Sequence, residues 1–379
     1  MPNFDKLDPN IPFLPQILQQ NGYETYFNMI TNNYLPVDKV YNRGIDQIVN
    51  PNNFSNLWEK GLQKFKENNE KGQKTFLFLH TYYVHTPYLI EDENPTYTRK
   101  VFDTIPTDAA HYEACSENFI SYLKSSLEVD LTKQFWLDKT STYQTIYNDL
   151  LNATDINKFC DKYHDKLSLY RIGYVYNKNN INTSEKVEYI KDLYDQKIVE
   201  LDSLLSPLLD LIKQNNIRQN TILIITADHG EEFMEHGEIQ HNTLFDSNVR
   251  IPLIMYIPGI NNNQVNKISQ NIDIVPTILD AVGIKLNYSF QGKSLINDIV
   301  WGKTSKKYVV AEKMSDGTKT IRDEKYKLFL KQSKNQLQPY LLFDIQNDPS
   351  ESQNIIFSRA DIVNGLKKEI IKMTGILIK

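Results

Sequence analysis

The stretch that most limits what this chain can become is Thr221 to Pro258, TILIITADHGEEFMEHGEIQHNTLFDSNVRIPLIMYIP. Its first six residues, Thr221 to Thr226, form a largely β-branched apolar run that reads as a strand buried on both faces. The run stops at Ala227-Asp228-His229-Gly230, where apolar residues give way to metal-ligand types. A second apolar run follows from Ile251 to Ile257. Between the two lie three of the chain's seven histidines and six carboxylates. Ligands of open α/β sheets gather beyond the carboxyl ends of the strands, so Asp228 and His229 mark the expected seat of the chemistry.

An upstream run repeats this arrangement. Thr75 to Leu79 is a second all-apolar strand, and it leads straight into His80-Thr81-Tyr82-Tyr83-Val84-His85-Thr86-Pro87-Tyr88. Two histidines at a strand's end, followed by a proline-fixed turn, again sit where a ligand would. Before it, Leu14 to Gln20 reads as a short helix closed by Asn21-Gly22, Tyr23 to Met29 as a strand, and Asn53 to Asn69 as an amphipathic helix. Ser184 to Gln214 is a long amphipathic helix that feeds through Asn215-Asn216 into the Thr221 strand. Strand, helix and strand in this order predict a right-handed crossover. The predicted fold class is therefore α/β, a mostly parallel central sheet flanked by helices, containing Thr75 to Leu79, Thr221 to Thr226 and Ile251 to Ile257.

The remaining segments are secondary to that frame. Residues 95–182 show mixed helical periodicity without a strand rhythm and read as a helical insertion beside the site, where specificity elements usually lie. Asn271 to Gly283 reads as a helix begun by Asp273. Beyond about residue 300, short strands at Lys307 to Ala311, Tyr326 to Leu330 and Leu341 to Asp344 precede a final helix, Ala360 to Met373. The expected division is 1–300 for the main α/β domain and 301–379 for a small C-terminal α+β subdomain.

Composition removes several classes of function. With 40% apolar residues and 11% aromatics, the 379 residues have enough for a substantial core. The formal net charge of -5 is spread without blocks, which gives no nucleic-acid surface. Cys115 and Cys160 lie far apart in polar surroundings and read as neither a zinc pair nor a disulfide framework. No apolar run approaches the ~18 residues of a membrane span, and nothing at the start reads as a signal peptide. Localisation is left open.

Adjacent residues cannot share a strand face, but at a strand's end Asp228 and His229 can both turn to one ion. A carboxylate beside an imidazole suits a divalent cation and leaves calcium, magnesium, manganese and zinc all open. His85, His236 and His241 can donate to the oxygens of an anionic ester or protonate a leaving group. The alternative is a polar loop whose histidines cap helices and bind nothing.

Several separated motifs, in order, resemble the sulfatase family of the alkaline-phosphatase superfamily. Asp228-His229-Gly230-Glu231 resembles the family's late metal-ligand motif. Glu235-His236-Gly237, His241, Leu244-Phe245-Asp246 and Val249-Arg250-Ile251-Pro252 resemble the run after it. Phe76 to His80 with His85-Thr86-Pro87-Tyr88 resembles the earlier H-x-P-Y segment. Ile272 to Leu279 resembles the following helix, and Phe343-Asp344 with Asp348-Pro349-Ser350-Glu351 the ending.

The resemblance implies a metal-dependent hydrolase of sulfate esters acting on a sulfated small molecule or glycan. It implies Asp228 and His229 as metal ligands, with calcium the usual ion. His85 and His241 then become the contacts to the sulfate or leaving oxygen, converging with the metal pair on one pocket. Arg250 and Pro252 match positions that look structural.

One departure qualifies this. Sulfatases carry an aspartate pair and a Cys/Ser-x-Pro-x-Arg nucleophile whose Cys or Ser becomes formylglycine; these 379 residues hold neither. The expectation is an incomplete or inactive sulfatase-like chain, truncated at its start and open to an N-terminal complementing fragment. Two alternatives stand beside it, a phosphoethanolamine or phosphoglycerol transferase relative and a non-catalytic anion-binding relic.

Overall fold

The computed structural model describes residues 10–29, 42–49, 55–85, 88, 120–121, 123–125, 140–163, 184–261, 264–302, 306–333 and 336–374. The chain divides into two compact units. One comprises residues 1–82, 204–232 and 241–379, the other residues 83–203 and 233–240.

The first unit opens with α1 (Leu14–Gln20), which starts with proline in its first turn, and strand β1 (Glu24–Asn28). Strands β2 (Gln47–Val49) and β3 (Thr75–Leu79) flank β1, and both run parallel to it. Helix α2 (Ser55–Glu70) connects β2 to β3, as a parallel crossover requires. Gly61 lets that helix approach closely, because a Cβ there would sit 3.1–3.3 Å from Asn28, Leu77 and Leu79. The expected helix Leu14–Gln20 is observed with the same bounds, and the expected strand at 75–79 likewise.

The apolar runs around the site behave differently from expectation. Strands β4 (Leu223–Thr226) and β5 (Leu253–Tyr256) form, but they pair antiparallel with each other, Leu223 opposite Tyr256 and Thr226 opposite Leu253. Among the described residues they make a separate two-stranded ladder and do not join β3 in one parallel sheet. The cause is the connection. A parallel return needs a crossover, usually a full helix, and the only helix within residues 227–252 is the single turn α6 (Asp246–Val249). The α/β class and the parallel sheet stand, and the parallel sheet is smaller than expected.

The C-terminal part of this unit is a four-stranded antiparallel sheet, β6 (Val309–Lys313), β7 (Thr318–Arg322), β8 (Tyr326–Ser333) and β9 (Gln336–Asp344). Strand β7 escapes the sequence reading because its TKTIR run carries no apolar alternation. One face of the sheet, with Ile321, Leu328, Leu330 and Leu342, packs on helix α8 (Ala360–Thr374) through Val363, Leu366 and Ile370. On the other face Phe329 and Phe343 pack against Leu244 and Phe245. Helix α7 (Ile274–Ala281) follows a short 3-10 turn at 271–273, where the buried Asp273 accepts hydrogen bonds from the Gln270 and Lys293 backbones. Replacing the fully buried Ile321 by valine removes one methyl from the α8 face. A loss of about 1 kcal/mol of stability is expected, read from the urea midpoint.

The second unit contains α3 (Thr140–Leu151) and α4 (Ile156–Lys162), helices of the expected helical insertion; of 95–182, all but residues 120–121, 123–125 and 140–163 lies outside the described residues. Ile146, Leu150, Phe159 and Tyr163 form its core there, with Ile120 and Leu123. Cys160 is disulfide-bonded in this core, which corrects the reading that the cysteines make no disulfide; Cys115 lies outside the described residues. Sequence spacing cannot show such a bond, since it depends on how helices fold back on one another. Helix α5 (Ser184–Lys213) contributes residues 184–203 to this unit and the rest to the first.

Candidate active site

The site of the first unit is built where β4 ends. Thr226 closes the strand by donating its hydroxyl to the Pro252 carbonyl at 2.9 Å. Asp228 follows with a side chain 75% exposed, and its Oδ2 lies 3.6 Å from His229 Nε2. His229 Nδ1 faces the Gly230 carbonyl at 2.8 Å, which assigns the proton to Nδ1 and leaves the Nε2 lone pair on the side of Asp228. The His241 ring stacks on His229, with centroids 4.0 Å apart and planes 25° apart. Its own Nδ1 lies 3.4 Å from Oε1 of Glu231, whose side chain is buried. The structure brings Asp228, His229 and His241 together, with Glu231, which the sequence reading did not single out as a partner, beside His241.

Two devices hold the segment carrying His241. The first is Glu232, fully buried, which accepts from the Thr243 hydroxyl at 2.7 Å and from the Asn248 amide at 3.2 Å. The Gly230 N–H donates to the Asn248 carbonyl at 2.7 Å. Here a glycine is required, because a Cβ at 230 would lie 2.1 Å from the Ser247 carbonyl oxygen. Gly230→Ala is expected to push 241–249 away from 228–232 and cost about 2 kcal/mol of stability. Ring-current shifts of His229 and His241 should report loss of the stack.

The second device is charge. Asp246 accepts from Arg322 at 2.7 Å and from Lys327 at 2.7 Å. Lys327 also pairs with Glu351 at 2.9 Å, and the other oxygen of Glu351 accepts from the Asp246 backbone N–H at 2.5 Å. Burial works to raise the Asp246 carboxyl, but Lys327 and Arg322 outweigh it and hold it below the usual carboxylate range. Burial dominates at Glu351, which is pushed up despite Lys327.

His80, at the end of β3, lies within electrostatic reach of Asp228. Burial pushes its imidazole down, with Asp228 opposing. His85 and His236 belong to the second unit. There Met234 and Gly237, at φ 68° and 76°, close a tight turn in which the Met234 N–H donates to the Glu238 carbonyl at 2.7 Å.

The donor chemistry suits a divalent ion in part. Asp228 offers a carboxylate and His229 its Nε2, 3.6 Å apart. No group of three or more metal-ligating side chains is gathered among the described residues. The pair supplies two positions of a coordination sphere, and one oxygen plus one nitrogen does not select calcium.

Comparison with known proteins bears on this geometry. The sulfatase family model matches residues 1–284, and the model for the C-terminal part of N-sulphoglucosamine sulphohydrolase matches 234–375. The chain is 28% identical to arylsulfatase K of Canis lupus familiaris over 53% of its own length and 40% of that protein's. It is 24% identical to the Gallus gallus arylsulfatase K over 97% of its own length and 68% of that protein's. It is 25% identical to N-acetylglucosamine-6-O-sulfatase of Bacteroides thetaiotaomicron over 64% of itself and 45% of that protein. The chain spans 38–45% of the length of the dog, cattle and rat relatives. A structure solved in complex with its substrate D-glucosamine-2-N,6-O-disulfate superposes with TM-score 0.61 and 21% identity, over 98% of this chain and 84% of that one. The phosphonate monoester hydrolase of Silicibacter pomeroyi superposes with TM-score 0.62 and 15% identity, over 98% of this chain and 81% of that one. These superpositions speak for the alkaline-phosphatase-like fold.

Proposed function

Because the chain belongs to the sulfatase family, we propose that its site recognises a sulfate monoester on a sugar, as part of a sulfate-ester hydrolase. The observation that supports this most directly is the His229–His241 stack beside Asp228 at the end of β4. Asp228 and His229 would hold the metal, with calcium the ion the family likeness favours. When bound, that ion supplies Lewis-acid stabilisation of the ester oxygens.

The chain's own residues do the rest. Glu231 takes the Nδ1–H of His241, and the ring in its doubly protonated, cationic form then has an Nε2–H to give to a sulfate oxygen. For His85 the family likeness implies a contact to the sulfate or the leaving oxygen. A nucleophile-bearing segment from outside these residues would complete the site. The sugar part of the reading is supported by relatives whose names specify glucosamine sulfates.

Calorimetric titration of the chain with N-acetylglucosamine 6-sulfate, with and without calcium, tests this. His85→Ala and His241→Ala are each expected to weaken binding roughly tenfold, the range for one hydrogen bond to a charged group. Asp228→Asn should abolish the calcium dependence. Affinity unchanged in all three variants would overturn the assignment, and preference for the matching phosphate ester would move the reading to phosphoryl chemistry.

A further inference from the structure

We infer that Lys197 and Glu200 are positioning residues for His85, acting through Tyr83. This rests on the reading of His85 as an ester contact. His85 lies between two aromatic anchors, Tyr83 and Tyr88, and α5 holds both. Tyr83 is buried and donates its hydroxyl to Glu200 at 2.9 Å. Lys197 pairs with the same carboxylate at 2.7 Å and places its ammonium 3.6 Å from the Tyr83 ring centroid. The side chains of Lys197 and Glu200 are only 5% and 9% exposed. Tyr88, 2% exposed, packs edge-on to Tyr194 at 5.5 Å and lies 6.2 Å from Phe233. Tyr189, Ile190 and Leu193 complete its pocket.

Residues 190, 193, 194, 197 and 200 follow helical spacing, so one stripe of α5 holds both anchors. The stripe is apolar beneath Tyr88 and charged beneath Tyr83. A charged pair is a costly way to fill a buried position, since desolvation opposes it and an apolar pair of similar size would serve packing as well. Its specific geometry does something packing would not. The carboxylate sets the direction of the Tyr83 hydroxyl, and the ammonium fixes the face of the ring. Tyr83, two residues before His85, is thereby fixed in both hydroxyl direction and ring face.

The test reads His85 itself. In the full chain, the imidazole 1H–15N cross-peaks of His85 are assigned by their loss in His85→Gln. Lys197→Met and Glu200→Gln are expected to shift and broaden those peaks and to weaken N-acetylglucosamine 6-sulfate binding about tenfold, as misdirection of a contact group does. Lys197→Arg should restore most of both. Phe159→Leu, in the core of the same unit but away from both anchors, should lower Tm and leave the His85 peaks in place. Wild-type His85 peaks in both Lys197→Met and Glu200→Gln would overturn the inference. Shifted peaks in a chain that never binds the sulfated sugar would leave the positioning intact and remove the functional reading instead. Should Lys197→Met fail to fold, Glu200→Gln and Tyr83→Phe decide on the same peaks.

Discussion

No turnover of an aryl sulfate above the buffer rate is expected from these 379 residues, with or without calcium. A sulfatase of the formylglycine type attacks sulfur with an oxygen borne by a modified Cys or Ser, and no Cys/Ser-x-Pro-x-Arg frame occurs in this sequence. Cys160 is in addition disulfide-bonded and 2% exposed, so it cannot serve. A nucleophile works as a unit with the groups around it, and its loss costs several orders of magnitude in rate. Asp228 and His229 leave most positions around a divalent ion to water, which weakens the electrostatic part of catalysis as well. The measurement is 4-nitrophenyl sulfate hydrolysis by the purified chain, repeated after adding a segment that carries the nucleophile frame. Sustained turnover by the chain alone, lost in Asp228→Ala, would show that another group attacks.

Replacing Lys327 by methionine is expected to destabilise the chain by about 3–5 kcal/mol, the usual cost of deleting one partner of a buried ion pair. Lys327 is fully buried and is shared by Asp246 at 2.7 Å and Glu351 at 2.9 Å. Methionine fills the space over Phe329, where the ammonium now sits 5.1 Å from the ring centroid. It leaves Asp246 with Arg322 alone and Glu351 without a cation. The effect should depend on pH. The folded Asp246 carboxyl is held below its unfolded value, so its contribution is complete above about pH 4 and is lost as pH falls through the folded value. Glu351 is raised, so its ionised form costs stability above its folded value and that cost is relieved on acidification. In the variant both carboxylates want protons, so the deficit should be largest near neutral pH and shrink toward pH 4. Urea unfolding of both proteins between pH 4 and 8 measures it. A deficit under 1 kcal/mol, or one that grows on acidification, would show that the network is not what holds residues 241–249.

What was legible in the sequence was local. Helices such as α1, α2 and α5 carry their period in their own residues, and Gly22 and Gly283 mark the ends of α1 and α7. Asp228, His229 and His241 were legible because a strand run stops abruptly in ligand-type residues, and because their motifs resemble a known family. Strand direction was not legible. The apolar runs of β4 and β5 look alike whether they pair parallel or antiparallel, and only the length of helix between them decides. The supports of the site were equally hidden, since Lys327 and Asp246 stand 81 residues apart, and Tyr83 and Glu200 117 apart. A charge inside a strand or helix reads as solvent-facing until the fold buries it against its partner. Sequence alone thus determined the longer helices, the strands with apolar runs, and where the ligand-type residues lie. The tertiary structure decided which charges are buried, which carboxylate turns each imidazole, and how the chain between the two site strands is held. Those depend on contacts between residues far apart in the chain, which no local pattern encodes.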